Sequence, residues 1–306
     1  MRAVVFAYQE IGSACLEELI DFGTDVACLF THEDDPDEEI WFRQPAGIAG
    51  GLGIPVYSPE NVNDSKWASM IREIGPDIIF SFYYRKMIPG AILDIPRIGA
   101  FNLHGSLLPR YRGRCPVNWV MIAGEEETGV TLHDMIEKPD AGDVVAQKKV
   151  AIAFEDDVLS VYIKMVKAAR ELMRDILPNL AAGTFTRIPQ SGIPSYFGGR
   201  KPEDGIIDWG KDALSIYNLT RAVTHPYPGA FTYLDGKKLL IWKAYPENTA
   251  VEAPAGKIIS EDPLTVKAGK GSLRLVSVQL EGEDETDAAL FASSRKLKNK
   301  TLGGHP

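Results

Sequence analysis

Gly99-Ala-Phe-Asn102-Leu-His104-Gly-Ser106-Leu-Leu-Pro109-Arg-Tyr-Arg-Gly113 is the stretch on which the reading of this chain turns. In an extended segment side chains two apart point the same way, so Asn102 and His104 share one face while Phe101 and Leu103 take the other. Gly105 allows a sharp turn, and Pro109 and Gly113 keep the succeeding residues irregular, which puts the imidazole where a strand hands over to a loop. Open α/β sheets place their chemistry at that edge. A neutral imidazole there can exchange a proton near neutral pH, and a carboxamide N–H can stabilise an oxyanion without carrying charge. The pairing suits acyl transfer, although an isolated Asn-x-His is more often a buried pair tied to turn backbone.

Towards the N-terminus, Asp77-Ile-Ile-Phe-Ser-Phe82 is a continuous apolar run typical of a central parallel strand covered on both faces. Ala3-Val-Val-Phe-Ala7 and Val26-Ala-Cys-Leu-Phe30 are two more β-forming runs. Between them lie a Gly12-Ser13 break and a helical pattern through Ile11, Cys15, Leu16, Leu19 and Ile20. The first turn lacks Gly-x-Gly-x-x-Gly, so this Rossmann-like opening gives no ground for a dinucleotide. Glu33-Asp-Asp-Pro-Asp-Glu-Glu39 reads as a solvated loop, and Gly50-Gly-Leu-Gly53 as a helix end, since no Lys-Ser or Lys-Thr comes after it. The spacing predicts a helix over Lys66 to Ile74. Tyr83-Tyr-Arg-Lys-Met-Ile88 reads as an extension of the strand ending in Phe82, its aromatic and cationic groups suited either to a ring-shaped ligand or to a strand-end core.

On the C-terminal side, Pro116 to Ala123 reads as a helix. Val130-Thr-Leu-His-Asp-Met-Ile136 alternates like a strand whose partner is Val144 to Ile152, joined by the turn Glu137-Lys-Pro-Asp140-Ala-Gly142. Glu155-Asp-Asp157 caps a long amphipathic helix that Pro178 and Gly183 are expected to end. Ile188 to Gly199, punctuated by Pro and Gly, reads as a linker, and Ala213 to Thr224 as a last helix. From Ala230 onward five short β-like segments, with a hairpin signal at Asp235-Gly236, predict a small barrel. The polar, Lys-rich tail from Ser293 is expected to fray.

A length of 306 residues is ample for two domains, and a formal net charge of −9 disfavours a polyanionic nucleic-acid partner. No apolar run approaches the ~18 residues needed to span a bilayer, and the opening run is too short for a signal peptide, so the expectation is a cytoplasmic protein without membrane insertion. Cys15, Cys28 and Cys115 are odd in number and lack ligand spacing, which argues against a disulfide framework or a zinc site. No metal is expected: His32 and His133 read as hydrogen-bonded structural residues rather than ligands.

Asn102-Leu-His-Gly-Ser-Leu-Leu-Pro109 and Arg-Tyr-Arg-Gly113, together with Glu127-Thr-Gly-Val-Thr-Leu-His133 and Asp140-Ala-Gly-Asp143, resemble the signature of the folate-dependent formyltransferases, which move a formyl group from 10-formyltetrahydrofolate to an amine. The resemblance covers nearly the whole chain. It implies an α/β fold with a Rossmann-like, mostly parallel sheet and helices on both faces over residues 1–200, and a C-terminal OB-like β-barrel over 201–306. It implies a catalytic set of Asn102, His104 and Asp140. It implies too that Lys86, Met87, Ile88, Arg114 and the segment Ile136, Glu137, Lys138, Pro139 to Asp140 line the folate donor.

Within the family the chain is most similar to the formyltransferase domains of bifunctional polymyxin-resistance enzymes, which act on UDP-4-amino-4-deoxy-L-arabinose. The matching residues are Val5-Phe-Ala-Tyr8, Phe30-Thr-His32 and Ile79-Phe-Ser-Phe-Tyr-Tyr-Arg85. A nucleotide-sugar acceptor is therefore expected, in a chain that either stands alone, as a homo-oligomer, or belongs to a longer protein carrying a dehydrogenase domain. Arg110 and Arg112 face either the nucleotide diphosphate or solvent. Two alternatives remain beside this: methionyl-tRNA formylation, whose enzymes differ in the first loop and carry a basic insert where this chain is acidic, and a non-catalytic folate- or nucleotide-binding module.

Overall fold

The computed structural model describes residues 1–34 and 40–304, so the reading of residues 35–39 as a solvated loop falls outside the described residues. In chain order the elements are β1 (Arg2–Ala7), α1 (Gln9–Asp21), β2 (Asp25–Phe30), α2 (Pro45–Gly51), β3 (Val56–Tyr57), α3 (Ser65–Ile74), β4 (Ile78–Phe82), α4 (Gly90–Leu93), β5 (Gly99–His104), β6 (Arg112–Gly113) and α5 (Pro116–Ile122). They continue with β7 (Glu127–Asp134), β8 (Val144–Ala151), α6 (Val158–Ala182), β9 (Tyr196–Phe197), α7 (Ala213–Val223), β10 (Ala230–Leu234), β11 (Lys237–Glu247), β12 (Ile258–Glu261), β13 (Leu264–Lys267), β14 (Ser272–Leu280), β15 (Thr286–Asp287) and α8 (Ala288–Ser293).

Two compact units result. The first comprises Met1–Pro116, Glu127–Ile152 and Tyr162–Gly198; the second comprises Val117–Glu126, Ala153–Val161 and Gly199–Pro306. In the first, seven strands run in the order β3-β2-β1-β4-β5-β7-β8, parallel from β3 to β5 and antiparallel through β7 and β8. Every residue of β4 is buried, as its unbroken apolar run requires. Val4, Phe6, Phe30, Ile79 and Ala100 form a cluster with Ala68 and Ile71 of α3 and with Ile88 and Ile92 around α4. Ala3, Val5, Ala7, Phe80 and Phe82 alternate to the other face and are also buried, so the sheet is covered on both sides. Ala100, Asn102 and His104 succeed one another on the α3–α4 face, and the polar pair emerges at the carboxyl edge of β5.

In the second unit the strand path is β10-β11-β14-β13-β12, antiparallel throughout, with β15 paired to β14. Asp235 and Gly236 both take positive φ, 51° and 80°, in the tight hairpin their sequence announces.

Several local expectations are corrected. Gly12-Ser13 does not break the first βα unit: α1 already starts at Gln9, whose φ is 64°, and Gly12 lies inside the helix. There a Cβ would stand 3.2 Å from both the Ala7 side chain and the Phe82 carbonyl. β4 ends at Phe82 because Tyr83 turns to φ 59°, so Tyr83 to Ile88 is loop. The Lys-rich tail is tied down rather than frayed: Leu297 and Leu302 are buried, and the Leu302 N–H donates to the Gly256 carbonyl at 2.8 Å.

Pro178 does not end α6, which runs on to Ala182 before Gly183 at φ 68° stops it. Pro178 sits on the exposed side while Ile176, Leu177 and Leu180 continue the buried stripe, so water reaches the carbonyl that proline leaves unpaired. Pro178→Ala is expected to restore the missing helix bond and stabilise the protein by about 1 kcal/mol, less than a mid-helix proline costs because the unfolded chain also gains freedom. Urea unfolding reads this as a higher midpoint at constant slope.

Candidate active site

Asn102 and His133 are directly opposite one another across the antiparallel β5–β7 pair, and His104 is opposite Thr131. The turn between β7 and β8 then folds back over β5. Its tightness depends on Gly142, where a Cβ would stand 1.9 Å from the Asp134 carbonyl, and on Asp140, which adopts φ 53°. Asp140 Oδ1 is thereby brought 3.5 Å from three groups at once: His104 Nδ1, His133 Nε2 and Asn102 Nδ2. Its other oxygen, Oδ2, accepts the Gly113 N–H at 2.8 Å.

Hydrogen-bond partners fix the protonation pattern. The Tyr111 carbonyl lies 2.7 Å from His104 Nε2 and can only accept, so Nε2 carries the hydrogen and Nδ1 presents its lone pair towards Asp140. The Asp134 carbonyl, 2.8 Å from His133 Nδ1, sets the second ring in the same way: Nδ1 is protonated and Nε2 accepts the Asn102 amide at 3.1 Å. One Asn102 N–H is thus anchored on His133. The other, with only the long Asp140 contact, is available to a developing oxyanion.

Burial pushes the His104 pKa below its ordinary 6.5, partly opposed by the charge of Asp140 and the bond to Tyr111. Burial by itself would raise the Asp140 carboxyl, but in the acid range where it titrates the positive charge that His104 and His133 acquire on protonation, together with the Gly113 N–H, outweighs it and holds the group at about 2. Near neutral pH the site therefore holds an uncharged imidazole beside a carboxylate. The imidazole is buried, with 6 % exposure, yet both of its ring nitrogens meet polar groups.

The two segments expected to line the donor approach each other at their flanks. Met135 packs on the cluster that contains Ile88, and a Cβ on Gly90 would stand 4.0 Å from Glu137 Oε1. Met87 and Ile136 leave 55 % and 47 % of their surface open at this strand edge, an apolar lining that fits a flat heterocycle. Ile88 is buried and offers only its backbone. Lys86 Nζ is bound to the carbonyls of Pro59 and Glu60, both at 2.7 Å, so it braces its loop. Glu137, Lys138, Pro139 and Arg114 are exposed, and the Arg114 N–H bonds the Phe197 carbonyl at 3.0 Å.

Two readings of the sequence change and a third is extended. His133 is the hydrogen-bonded residue expected, held by the Asp134 carbonyl, and it also aligns Asn102 and touches Asp140; the signal that could have revealed this is the pairing of two alternating strands. Arg112 faces neither solvent nor ligand; it is buried and bonded to Gln190 and Tyr196. Ile188 to Gly199 is no linker, since Ile188 bridges to Val144 and β9 pairs with β6. Beside this segment a cavity of about 550 Å³ is lined by Pro109 to Tyr111, Ser191 to Ser195 and Phe197, whose ring stacks on Tyr111 at 5.1 Å. Among the described residues no group of three or more His, Cys, Asp or Glu could hold a metal ion.

Known structures share this fold. HypX from Aquifex aeolicus, solved with tetrahydrofolic acid, superposes with a TM-score of 0.65 at 19 % identity over 98 % of this chain. The chain spans about half of HypX, 50 % of its length. An N-formyltransferase from Helicobacter canadensis, solved with folinic acid and dTDP-3-aminofucose, gives a TM-score of 0.68 at 18 % identity, covering 93 % of this chain and 99 % of that one. A 4-N formyltransferase from Francisella tularensis gives 0.62 at 19 % identity, covering 76 % and 92 %. At such identities the likeness is one of fold. The family itself is decided by the sequence profiles: the formyl transferase profile matches residues 1–177 and the formyl transferase C-terminal domain profile matches residues 200–296, so the chain belongs to the formyl transferase family.

Proposed function

We propose that the protein transfers a formyl group from 10-formyltetrahydrofolate to the amine of a nucleotide-linked amino sugar, with Asn102, His104 and Asp140 as the catalytic residues. The observation that carries this reading is the meeting of the three side chains at Asp140 Oδ1, 3.5 Å from an amide N–H and from the unprotonated nitrogen of a neutral imidazole. Acyl transfer to an amine needs an acceptor for the amine's proton and a donor for the oxyanion. His104 Nδ1 takes the proton as nitrogen bonds to the formyl carbon, and the resulting imidazolium lies against the Asp140 carboxylate. Asn102 donates its unanchored N–H to the oxygen of the tetrahedral species. The carbonyl re-forms as the C–N bond to folate breaks, and the folate nitrogen leaves with the proton that the His104 imidazolium gives back, which restores the neutral ring.

Lys86 to Ile88, Arg114 and Ile136 to Pro139 hold the donor: Met87 and Ile136 cover the faces of its ring, backbone groups of the strand ends meet its polar edge, and Arg114 meets a carboxylate. The formyl carbon itself comes with the folate. The acceptor's nucleotide suits the cavity beside Tyr111, with the exposed Arg110 at its edge. The finer reading is UDP-4-amino-4-deoxy-L-arabinose, and with it lipid A modification and polymyxin resistance in the cytoplasm. No helix among the described residues is long and apolar enough to cross a membrane.

A panel of UDP- and dTDP-linked 3-amino and 4-amino sugars, each incubated with 10-formyltetrahydrofolate, tests the acceptor by mass spectrometry. The UDP-4-amino sugar is expected to gain one formyl group fastest; formylation of methionyl-tRNA, with a steep loss of binding as salt rises, would overturn the sugar reading. The acid limb of kcat should fall below pH 6.5, because burial keeps His104 neutral as the pH drops past its ordinary value. A limb midpoint above that value would mean that the imidazole is not the group whose proton is read.

A further inference from the structure

Three consecutive residues, Tyr111, Arg112 and Gly113, each hold a different part of the site. The Tyr111 carbonyl accepts from His104 Nε2, and the Gly113 N–H donates to Asp140 Oδ2. Arg112, between them, points elsewhere. Its guanidinium donates through Nε and Nη2 to Gln190 Oε1 at 3.2 and 2.6 Å, and through Nη1 to the Tyr196 hydroxyl at 2.6 Å. Gln190 Nε2 in turn donates to the backbone carbonyls of Asp140, at 2.9 Å, and Gly142, at 2.7 Å. The Gln190 oxygen and both its N–H groups are thus committed.

The target of this amide is a turn that needs an external hold. Asp140 is a non-glycine residue at φ 53°, and Gly142 is pressed against the Asp134 carbonyl with no room for a Cβ. A small rotation of the turn would swing the carboxylate away from His104. A glutamine is well suited to prevent that, because it bonds the two carbonyls on either side of Ala141 without adding a charge that would compete for the carboxylate. A lysine at this position would donate to the same carbonyls but would also attract Asp140 away from the imidazole.

We propose that Gln190, itself oriented by Arg112, is a positioning residue that fixes the Asp140–Gly142 turn so that the carboxylate stays against His104. Its importance for turnover rests on the formyl-transfer reading above; its effect on the imidazole does not. The ionisable groups facing His104 are Asp140 from the β7–β8 turn, His133 from β7 and Arg112 from β6. Of these, Asp140 raises the proton affinity of the ring, so loosening the turn lowers it.

The test is an NMR titration of the His104 imidazole in the full chain, its resonance assigned among the five histidines by its loss in His104→Ala. Neither donor nor acceptor is needed, so failure of the proposed reaction leaves the result interpretable. Asp140→Asn is expected to lower the His104 pKa, and Gln190→Met, which removes the amide at similar volume, to lower it in the same direction by at least about half as much. The double variant should titrate like Asp140→Asn alone, because Gln190 acts through that carboxylate. If Gln190→Met does not fold, Gln190→Asn keeps the amide but stops one methylene short of the carbonyls, and should give a smaller shift of the same sign. Lowered thermal stability with an unmoved titration in the variant that folds, or a full extra shift in the double variant, would overturn the assignment. In turnover, the folded variant should lose about tenfold in kcat with donor KM held within about threefold.

Discussion

Replacing His104 by alanine lowers kcat by about 10³-fold, about 4 kcal/mol of transition-state stabilisation, while donor affinity changes by less than about threefold. The separation arises from where the ring makes its bonds. Nε2 is held by the Tyr111 carbonyl at 2.7 Å and Nδ1 lies 3.5 Å from Asp140, so of the segments expected to hold folate the imidazole meets only the Asp140 end and none of Lys86 to Ile88, Arg114 or Ile136 to Pro139. The variant also removes the 2.7 Å hydrogen bond from His104 Nε2 to the Tyr111 carbonyl, a loss of about 0.5–1.5 kcal/mol of stability. Donor binding by calorimetry and thermal unfolding, run beside steady-state kinetics, separate these effects. A fall in kcat accompanied by an equal loss of folate binding would place His104 in the donor site instead.

Asp140→Asn is the second large effect, a loss of about 10²-fold in kcat, or about 2.7 kcal/mol. The substitution is nearly isosteric. An asparagine oxygen still accepts the Gly113 N–H that Asp140 Oδ2 accepts at 2.8 Å, so the turn survives. The negative charge beside His104 Nδ1 disappears. Because that charge raises the proton affinity of the ring, its removal lowers an already depressed pKa, and the acid limb of kcat moves to still lower pH as the plateau falls. A plateau that falls while the limb stays in place would mean that Asp140 acts on something other than the imidazole.

The parts of this site that sequence revealed are those governed by short-range geometry. Asn102 and His104 share a face because strands alternate, and β4 reads as central because no polar side chain but Ser81 interrupts it. Asp140 could be found only through its motif, since an aspartate in a Pro-Asp-Ala-Gly turn is unremarkable in itself. His133 needed the register of β5 against β7, a pairing between residues 31 apart that no local pattern specifies. Gln190 was hidden more deeply still. It contacts residues some 50 positions away and lies in a segment whose prolines and glycines read as linker, although they shape the loop that closes over the Asp140 turn.

The same division explains the fold. Helix α6 was legible from its stripe and from Asp157, whose side chain accepts the Ser160 N–H at 2.8 Å. Its end was legible at Gly183, which stops it at φ 68°, but not at Pro178, where local breaking lost to continued burial of Ile176, Leu177 and Leu180. Likewise the charged tail reads as mobile until Leu297 and Leu302 are seen to be inserted in the second unit. Tertiary packing decided both cases against composition.

The most direct measurement is transfer of a carbon-13 formyl label from 10-formyltetrahydrofolate to UDP-4-amino-4-deoxy-L-arabinose, read by mass spectrometry with the wild-type chain beside Asn102→Ala, His104→Ala and Asp140→Asn. Stoichiometric labelling of the sugar by the wild type, and rates reduced by about 10²-fold or more in each variant that still binds folate, is the expected result. Undiminished labelling by any of the three folded variants would contradict the catalytic assignment, and donor binding without labelling of this or any other amine would leave a folate-binding protein in place of an enzyme.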